Sequence, residues 1–296
     1  MELRVLRYFL AVAREENITA AANALHITQP TLSKQLKDLE DELGTTLFLR
    51  GKRKITLTED GMFLRKHAQE IVTLADKTES AFREKKDIIG GDIYIGGGET
   101  IAVRYIAKAI KHLLQRYPNI HYHFISGDGD DTAEKLDKGL IDFGLFVGLI
   151  DLKKYDHIIL PATDTWGLLM RIDHPLAAHQ TITPHDLKEL PLLHSRQAFS
   201  QNELSGWLGY STDELHIIGT HNLVYNETLM VKEGIGCAVT LDGLANTSKE
   251  NELCFRPFAP KISARLVIAW KKYQVFSKPA ELFLKQLQET FGTETL

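Results

Sequence analysis

Cysteine is almost missing from this sequence. Cys237 and Cys254 are the two it has, both in apolar surroundings and neither at metal-ligand spacing. A thiolate metal site is thereby excluded. Two readings stay open for the pair: buried free thiols, the commoner fate of such residues, or a redox couple. Proline is scarce too, with nine residues, and no low-complexity tract interrupts the chain, which fits folded globular protein. No apolar stretch approaches the roughly 18 residues needed to cross a bilayer. The run from Tyr8 to Ala13 is flanked by Arg7 and Arg14 and is too short for a secretory core, so a cytoplasmic protein with no membrane partner is expected. A strong charge of one sign is also missing. The net charge of −4 looks poor for a nucleic-acid binder. Split at residue 90, however, the N-terminal part has 15 Lys and Arg against 14 Asp and Glu, and the remainder 20 against 25. The basic groups cluster locally, and local fields steer DNA more than whole-chain charge does. A length of 296 residues suits two or three domains.

What is present begins with Thr19 to Leu43, TAAANALHITQPTLSKQLKDLEDEL, which reads as two helices joined by a short turn. Thr19 is placed to cap a short alanine-rich helix, and His26-Ile27-Thr28 breaks the run. Thr28 caps a second helix with Pro30 in its first turn, where a missing N–H costs nothing. Leu32, Leu36, Leu39 and Leu43 form one core-facing stripe. The other side carries Pro30, Ser33, Lys34 and Lys37, with Gln29 and Thr31 at the exposed N-terminal end. Hydroxyl, amide and ammonium groups at the front of such a helix suit a DNA major groove; the alternative is an α-hairpin with a solvated face.

Residues 3–15 precede this pair as an amphipathic helix, and Gly44 stops the second helix. Four of the five positions from Arg50 to Lys54 are basic: Arg50, Lys52, Arg53 and Lys54. They lie at a turn containing Gly51 between short β-prone segments, which describes a wing able to lie against phosphates or enter a minor groove. From Thr58 a long helix runs to about Lys86, with Leu64, Ala68, Ile71, Ala75, Thr78 and Phe82 as a heptad-like seam. Such a seam predicts pairing with the same helix of a second subunit; packing on its own downstream domain is the alternative. Gly90-Gly91 marks a domain boundary. Beyond it, strands at Ile93–Ile95, Ile120–Ser126 and Ile141–Val147 alternate with helices, predicting a parallel sheet with helices on both faces. Further strands are expected at Gly167–Arg171, His216–Gly219, Gly236–Leu241 and Leu266–Trp270, and a last helix at Ala280–Phe291.

The stretch LRYFLAVAREENITAAANALHITQPTLSKQLKDLEDELGTTLFLR, followed by ITLTEDG, resembles the LysR-type transcriptional regulators, and the likeness extends over essentially the full length. His174-Pro175-Leu176-Ala177 and Val231-Lys232-Glu233-Gly234-Ile235-Gly236 add to it, whereas Leu241-Asp242 stands where the family usually has a proline soon after the strand. The resemblance implies an all-α winged helix–turn–helix N-terminal domain and an α/β two-lobed, periplasmic-binding-protein-like effector domain, joined by a long dimerisation helix. The expected divisions are 1–58, 59–89 and 90–296, with lobe I at about 90–161 and 266–296 and lobe II at about 162–265. By the same resemblance Gln29, Pro30, Ser33 and Lys34 meet the major groove. Arginine is commoner at the Lys34 position, and lysine lacks the planar fork for bidentate guanine contact. Arg53 falls on the wing position that reaches the minor groove, with Arg50, Lys52 and Lys54 on phosphates. The implied partners are double-stranded DNA and a small-molecule effector, with a homodimer or a homotetramer as the assembly and RNA polymerase open as a further partner. No cofactor, metal or catalytic residue is implied.

Ligands of open α/β sheets gather at the carboxyl ends of strands, where loops meet helix N-termini. Gly98-Glu99-Thr100 and Gly127-Asp128-Gly129 occupy such loops. Thr100 matches a family position where a hydroxyl and helix amides meet a ligand carboxylate. Glu99 and Asp128 depart from that pattern: they would repel an anion, unless each simply caps its helix. Arg196 and the loop Thr220-His221-Asn222 are expected to face the same crevice. A small polar effector held by Thr100, Asp128, Arg196 and Asn222 follows, an amine being compatible with the carboxylates. Rival chemistry fares poorly. Gly96-Gly97-Gly98 lacks dinucleotide-fingerprint spacing, His121 and His123 have no third metal ligand, and no nucleophile elbow is present. The alternatives to a LysR-type, effector-modulated regulator are one with a redox- or ligand-independent C-terminal domain, or an enzyme fused to a DNA-binding head.

Overall fold

The computed structural model describes residues 1–51, 54–83, 89–148, 151–195 and 202–292 and divides into two compact units, Met1–Arg83 and Glu84–Leu296. In the first unit, α1 (Leu3–Glu15) turns Val5, Leu6, Phe9 and Val12 inward and ends at Glu16, which takes the left-handed conformation. Next, α2 (Ile18–Ala24) is capped by Asn17, whose side-chain oxygen accepts the Ala20 N–H at 3.0 Å. Asn17, two residues before the Thr19 favoured by sequence, takes the cap because its amide oxygen reaches a free amide of the first turn. Helix α3 (Gln29–Leu43) is capped by Thr28, carries Pro30 in its first turn and ends on Gly44 at φ 69°. Leu32, Leu36 and Leu39 are buried, but Leu43 is exposed, because the last turn of the helix runs past the core.

The wing strands β1 (Phe48–Arg50) and β2 (Ile55–Leu57) pair antiparallel, with Phe48 opposite Leu57. What ties this hairpin to α3 is Glu40. Its carboxylate is buried and accepts the Leu47 N–H at 2.7 Å and the Phe48 N–H at 3.3 Å. Phe48 then packs on Phe9, ring centroids 5.2 Å apart. The Thr58 hydroxyl accepts the Gly61 N–H and so caps α4 (Glu59–Arg83). Gly61 is needed there: a Cβ would lie 2.2 Å from the Leu47 carbonyl oxygen. The expected single seam of α4 resolves into two faces. Leu64, Ala68 and Val72 join the core of the head itself, while Ile71, Thr78 and Phe82 stay exposed, Phe82 to 86%. Phe63 and Leu74 extend that exposed apolar row.

The second unit runs β3 (Gly90–Gly97), α5 (Val103–Arg116), β4 (Asn119–Ser126), α6 (Gly129–Asp137), β5 (Phe143–Val147) and β6 (Tyr155–Arg171). It continues through β7 (Leu192–Ser195), α7 (Asn202–Leu208), β8 (Ile217–His221), α8 (Val224–Lys232), β9 (Cys237–Leu241), β10 (Leu253–Pro257), β11 (Ser263–Lys271) and α9 (Lys278–Phe291). The strand order is β4-β3-β5-β11-β6-β9-β7-β8, with β10 also on β6. Strands β3, β4 and β5 are parallel to one another along this order, as are β7, β8 and β9. The sheet is not parallel throughout, as the sequence pattern predicts. β11 runs antiparallel to β5 and β6, and β6 runs antiparallel to β9 and β10.

The departure comes from β6, whose 17 residues pass through both halves of the unit. Its first part pairs with β11 and its last part with β9 and β10. Each half has its own apolar core. One gathers Ile93, Ile106, Phe143, Leu266 and Phe283; the other gathers Leu168, Leu192, Leu204, Val239 and Phe258. These are the two lobes. Gly96 and Gly97 continue β3 and the loop begins at Gly98; a Cβ at Gly97 would sit 2.7 Å from the Leu145 Cβ.

Replacing Glu40 by Ala leaves two buried amides without an acceptor and is expected to destabilise the N-terminal unit by about 1–3 kcal/mol. Glu40→Gln, which keeps an acceptor oxygen, is expected to lose less. Thermal unfolding followed by circular dichroism on both variants measures the difference.

Candidate DNA-reading face and effector crevice

The front of α3 is ordered by its own side chains. The Thr28 and Thr31 hydroxyls lie 2.8 Å apart, and the Gln29 amide donates to Ser33 Oγ at 2.8 Å. Thr28, Gln29, Pro30, Thr31 and Lys34 are exposed and Ser33 half-buried, so this polar face is turned outward. Lys34 makes no ion pair among the described residues, whereas Lys37 is paired with Asp41 at 2.8 Å. In the wing, Lys54 is paired with Glu16 at 2.6 Å, and Arg50 ends β1. Lys52 and Arg53 lie outside the described residues. Exposed pairs of this kind contribute little to stability.

In the second unit a cavity of about 310 Å³ opens at the carboxyl ends of the strands, walled by both lobes. Gly98, Glu99, Asp128 and Gly129 line it from one lobe, and His221 and Asn222 from the other. Thr100 and Thr220 do not. The Thr100 side chain is buried and accepts the Ala102 N–H at 3.0 Å, and Thr220 is exposed. Arg196 lies outside the described residues. The sequence pattern gave no sign of Phe146, Val147, Asp151, Trp166, Val239, Thr240 and Leu244, which also form the wall. Several belong to strands or turns whose inward positions become evident only once β5, β6 and β9 are side by side.

Both departing carboxylates cap helices. Asp128 accepts the Asp131 N–H at 2.9 Å at the start of α6. Glu99 reaches across the crevice and accepts the backbone N–H of Val224, the first residue of α8. Behind the wall, His221 and Glu227 approach to 3.3 Å with both side chains buried. Burial pushes His194 below the ordinary histidine value, and His221 beside it acts in the same direction. His123 instead meets Asp92 at 3.1 Å and stacks on Tyr94, and the described residues contain no cluster of three metal-ligating side chains. Cys237 and Cys254 are free and buried; burial pushes the Cys237 thiol up to about 11, far from the thiolate that redox exchange needs.

Asp164 on β6 lies where the strand passes between lobes. It is 1% exposed, with neither carboxylate oxygen in a full hydrogen bond, although the Thr100 side chain is close by. Burial raises its value, and Asp242 raises it further, against the lowering effect of Thr100.

A three-helix head with a wing, and a two-lobed α/β domain with a crevice, define an effector-responsive DNA-binding regulator. The family described as "Bacterial regulatory helix-turn-helix protein, lysR family" matches residues 3–62, and "LysR substrate binding domain" matches residues 88–292. The chain is 30% identical to the Hca operon transcriptional activator HcaR of Escherichia coli (strain K12), covering 100% of both chains. It is 26% identical to the uncharacterized HTH-type transcriptional regulator YvbU of Bacillus subtilis (strain 168), covering 99% of this chain and 100% of the other. Among solved structures, CbnR, a LysR family transcriptional regulator, shares the fold with a TM-score of 0.76 at 20% identity, over 98% of this chain and 99% of that one. Full-length CbnR complexed with its target DNA aligns with a TM-score of 0.74 at 21% identity, over 98% and 100%. The chain belongs to the LysR family of transcriptional regulators. It is a sequence-specific DNA-binding protein whose activity is modulated by a small molecule bound in its two-lobed domain. No helix among the described residues is long and apolar enough to cross a membrane.

Asp164 yields a pH prediction. A carboxyl with a raised folded value contributes stability that is fully present below its unfolded value, 3.8, and is lost as pH rises through the folded value. Asp164→Asn is therefore expected to stabilise the effector domain by roughly 1–3 kcal/mol near neutral pH, the gain shrinking as pH falls towards 3.8. Melting temperatures across that range measure it.

Proposed function

We propose that Thr28, Gln29, Pro30, Thr31 and Ser33 read the major groove, where Lys34 holds a phosphate or a single acceptor, while Arg53 enters the minor groove. Arg50, Lys52, Lys54 and Lys37 hold phosphates. The observation that supports this reading is the outward polar front of α3, fixed by the Thr28 cap and joined to the wing through Glu40. Lys34, a cation with no ion-pair partner among the described residues, contributes most among the described lysines. The protein works by binding rather than catalysis, in the cytoplasm with its operator, and RNA polymerase is its further partner.

The assembly is a homodimer through α4, two dimers forming a tetramer. The exposed row Phe63, Ile71, Leu74 and Phe82 supports this, since an unpartnered apolar helix face of that length is costly in water. Lobe I comprises about 90–161 and 266–296, and lobe II about 162–265. The effector sits in the crevice against Gly98, Glu99, Asp128, Gly129, His221 and Asn222, with Thr100 and Thr220 behind; Arg196, outside the described residues, is a further contact proposed from the sequence. Its binding favours one lobe arrangement over another and so alters how two heads hold DNA.

Lys34→Ala is expected to lower operator affinity across sequences and to reduce the salt slope by about one. Gln29→Ala is expected to change base preference at one position of each half-site. Fluorescence anisotropy over a salt series, on operator DNA recovered from genome-wide binding, measures both. Unchanged affinity and slope in Lys34→Ala would exclude a phosphate contact there. For the assembly, Ile71→Asp with Phe82→Asp is expected to yield monomers by light scattering and at least a tenfold weaker operator complex.

A further inference from the structure

The crevice, read above as the effector site, also carries information about the charge of what fills it. An anionic ligand is held best at a helix N-terminus, where free amides and the helix dipole converge. The N-terminus of α8 faces this crevice, and its first amide is already taken by the Glu99 carboxylate from the opposite lobe. Asp128, Asp130 and Asp151 line the same cavity, and none of its described lining residues is Lys or Arg. Some of these carboxylates serve the fold: Asp128 caps α6, and Asp151 accepts the Lys153 N–H at 3.0 Å. Acidic groups alone would therefore say little.

A separate observation points to a ligand. Thr240 lines the cavity, is 3% exposed, and its hydroxyl has no hydrogen-bond partner among the described residues. Buried hydroxyls are normally paired, so this oxygen awaits a donor. His221 in the same wall is turned to the chain's own carboxylate, its Nδ1 lying 3.3 Å from Glu227 Oε2. The remaining wall is apolar and partly aromatic, through Phe146, Trp166, Leu241 and Leu244.

The geometry points to a cationic effector: a small molecule with a flat apolar body and a protonated amine. The amine lies among the carboxylates and donates to the Thr240 hydroxyl, and the body lies against Phe146 and Leu244. An anion with the same body would bring a further negative charge against Glu99 and Asp128 and find the α8 amide occupied. This inference rests on the crevice being the effector site.

Three probes of one shape test it on the full-length protein: phenethylamine, phenylacetamide and phenylacetate, followed by calorimetry and thermal shift. The amine is expected to bind, the amide at least tenfold more weakly, and the carboxylate not measurably. Amine affinity is expected to fall at least tenfold in Asp130→Asn with Asp151→Asn, and several-fold in Thr240→Val, with ligand-free melting unchanged in the double variant. Preference for the carboxylate, equal binding of all three, or no binding of any overturns the charge assignment. Val239→Trp fills the cavity and is expected to abolish amine binding. Should that variant not fold, Leu244→Trp at the half-buried rim replaces it. Amine binding that persists in the filled variant overturns the crevice reading itself, and so separates the two failures.

Discussion

The long strand β6, continuous in backbone although a bulge opposite Arg265–Val267 shifts its register with β11, is the constraint on which the effector domain depends. Its residues serve one lobe from Tyr155 and the other up to Arg171, so neither sheet is complete without a strand that also belongs to its neighbour. A strand shared in this way makes the lobes separate in their cores yet continuous in their backbone. It also fixes where the crevice must open, since β5, β9 and β6 together bring the cavity walls into place. Asp164, buried along this shared strand, puts a carboxyl where any change of lobe angle would be felt.

Much of the DNA-binding head was legible in the sequence because its signals are local. Thr28 and Gly44 mark the ends of α3 by their own chemistry, and the leucine spacing gives its buried face. The seam of α4 was harder. Spacings of three and four fit both a helix partner and a head, and only packing assigns Ala68 and Val72 to the head while leaving Ile71 and Phe82 outside. In the effector domain the early strands were evident, but most of β6 was not. Pro161 and Asp164 interrupt its apolar pattern, and its pairing partners lie about a hundred residues away in sequence. The short strands β7 and β10, of four and five residues, gave too little periodicity to register.

The crevice shows the same division between local and distant information. The loops bearing Glu99, Asp128 and Asn222 could be placed at strand ends from sequence, and all three line the cavity. The bond from Glu99 to Val224 could not, because it joins residues 125 positions apart and depends on how the lobes meet. A residue that departs from the usual family pattern has become a structural tie, filling with the chain's own charge a position that suits an anion. Thr100, whose hydroxyl could be expected at the ligand, serves the start of its own helix instead.

The hydrogen bond from Gln29 to Ser33 has a thermodynamic side. Immobilising a long polar side chain on binding costs about 0.5–1.5 kcal/mol, and here the folded chain has already restrained the glutamine before any DNA arrives. A base edge that engages Gln29 must either accept the orientation that Ser33 imposes or replace that bond with an equivalent one. Correct sequences are then recognised with little loss of side-chain freedom, while wrong ones must break an existing contact without compensation. With Gln29 at the groove as proposed, the pair would act as a fidelity element whose discrimination depends as much on what is lost as on what is made.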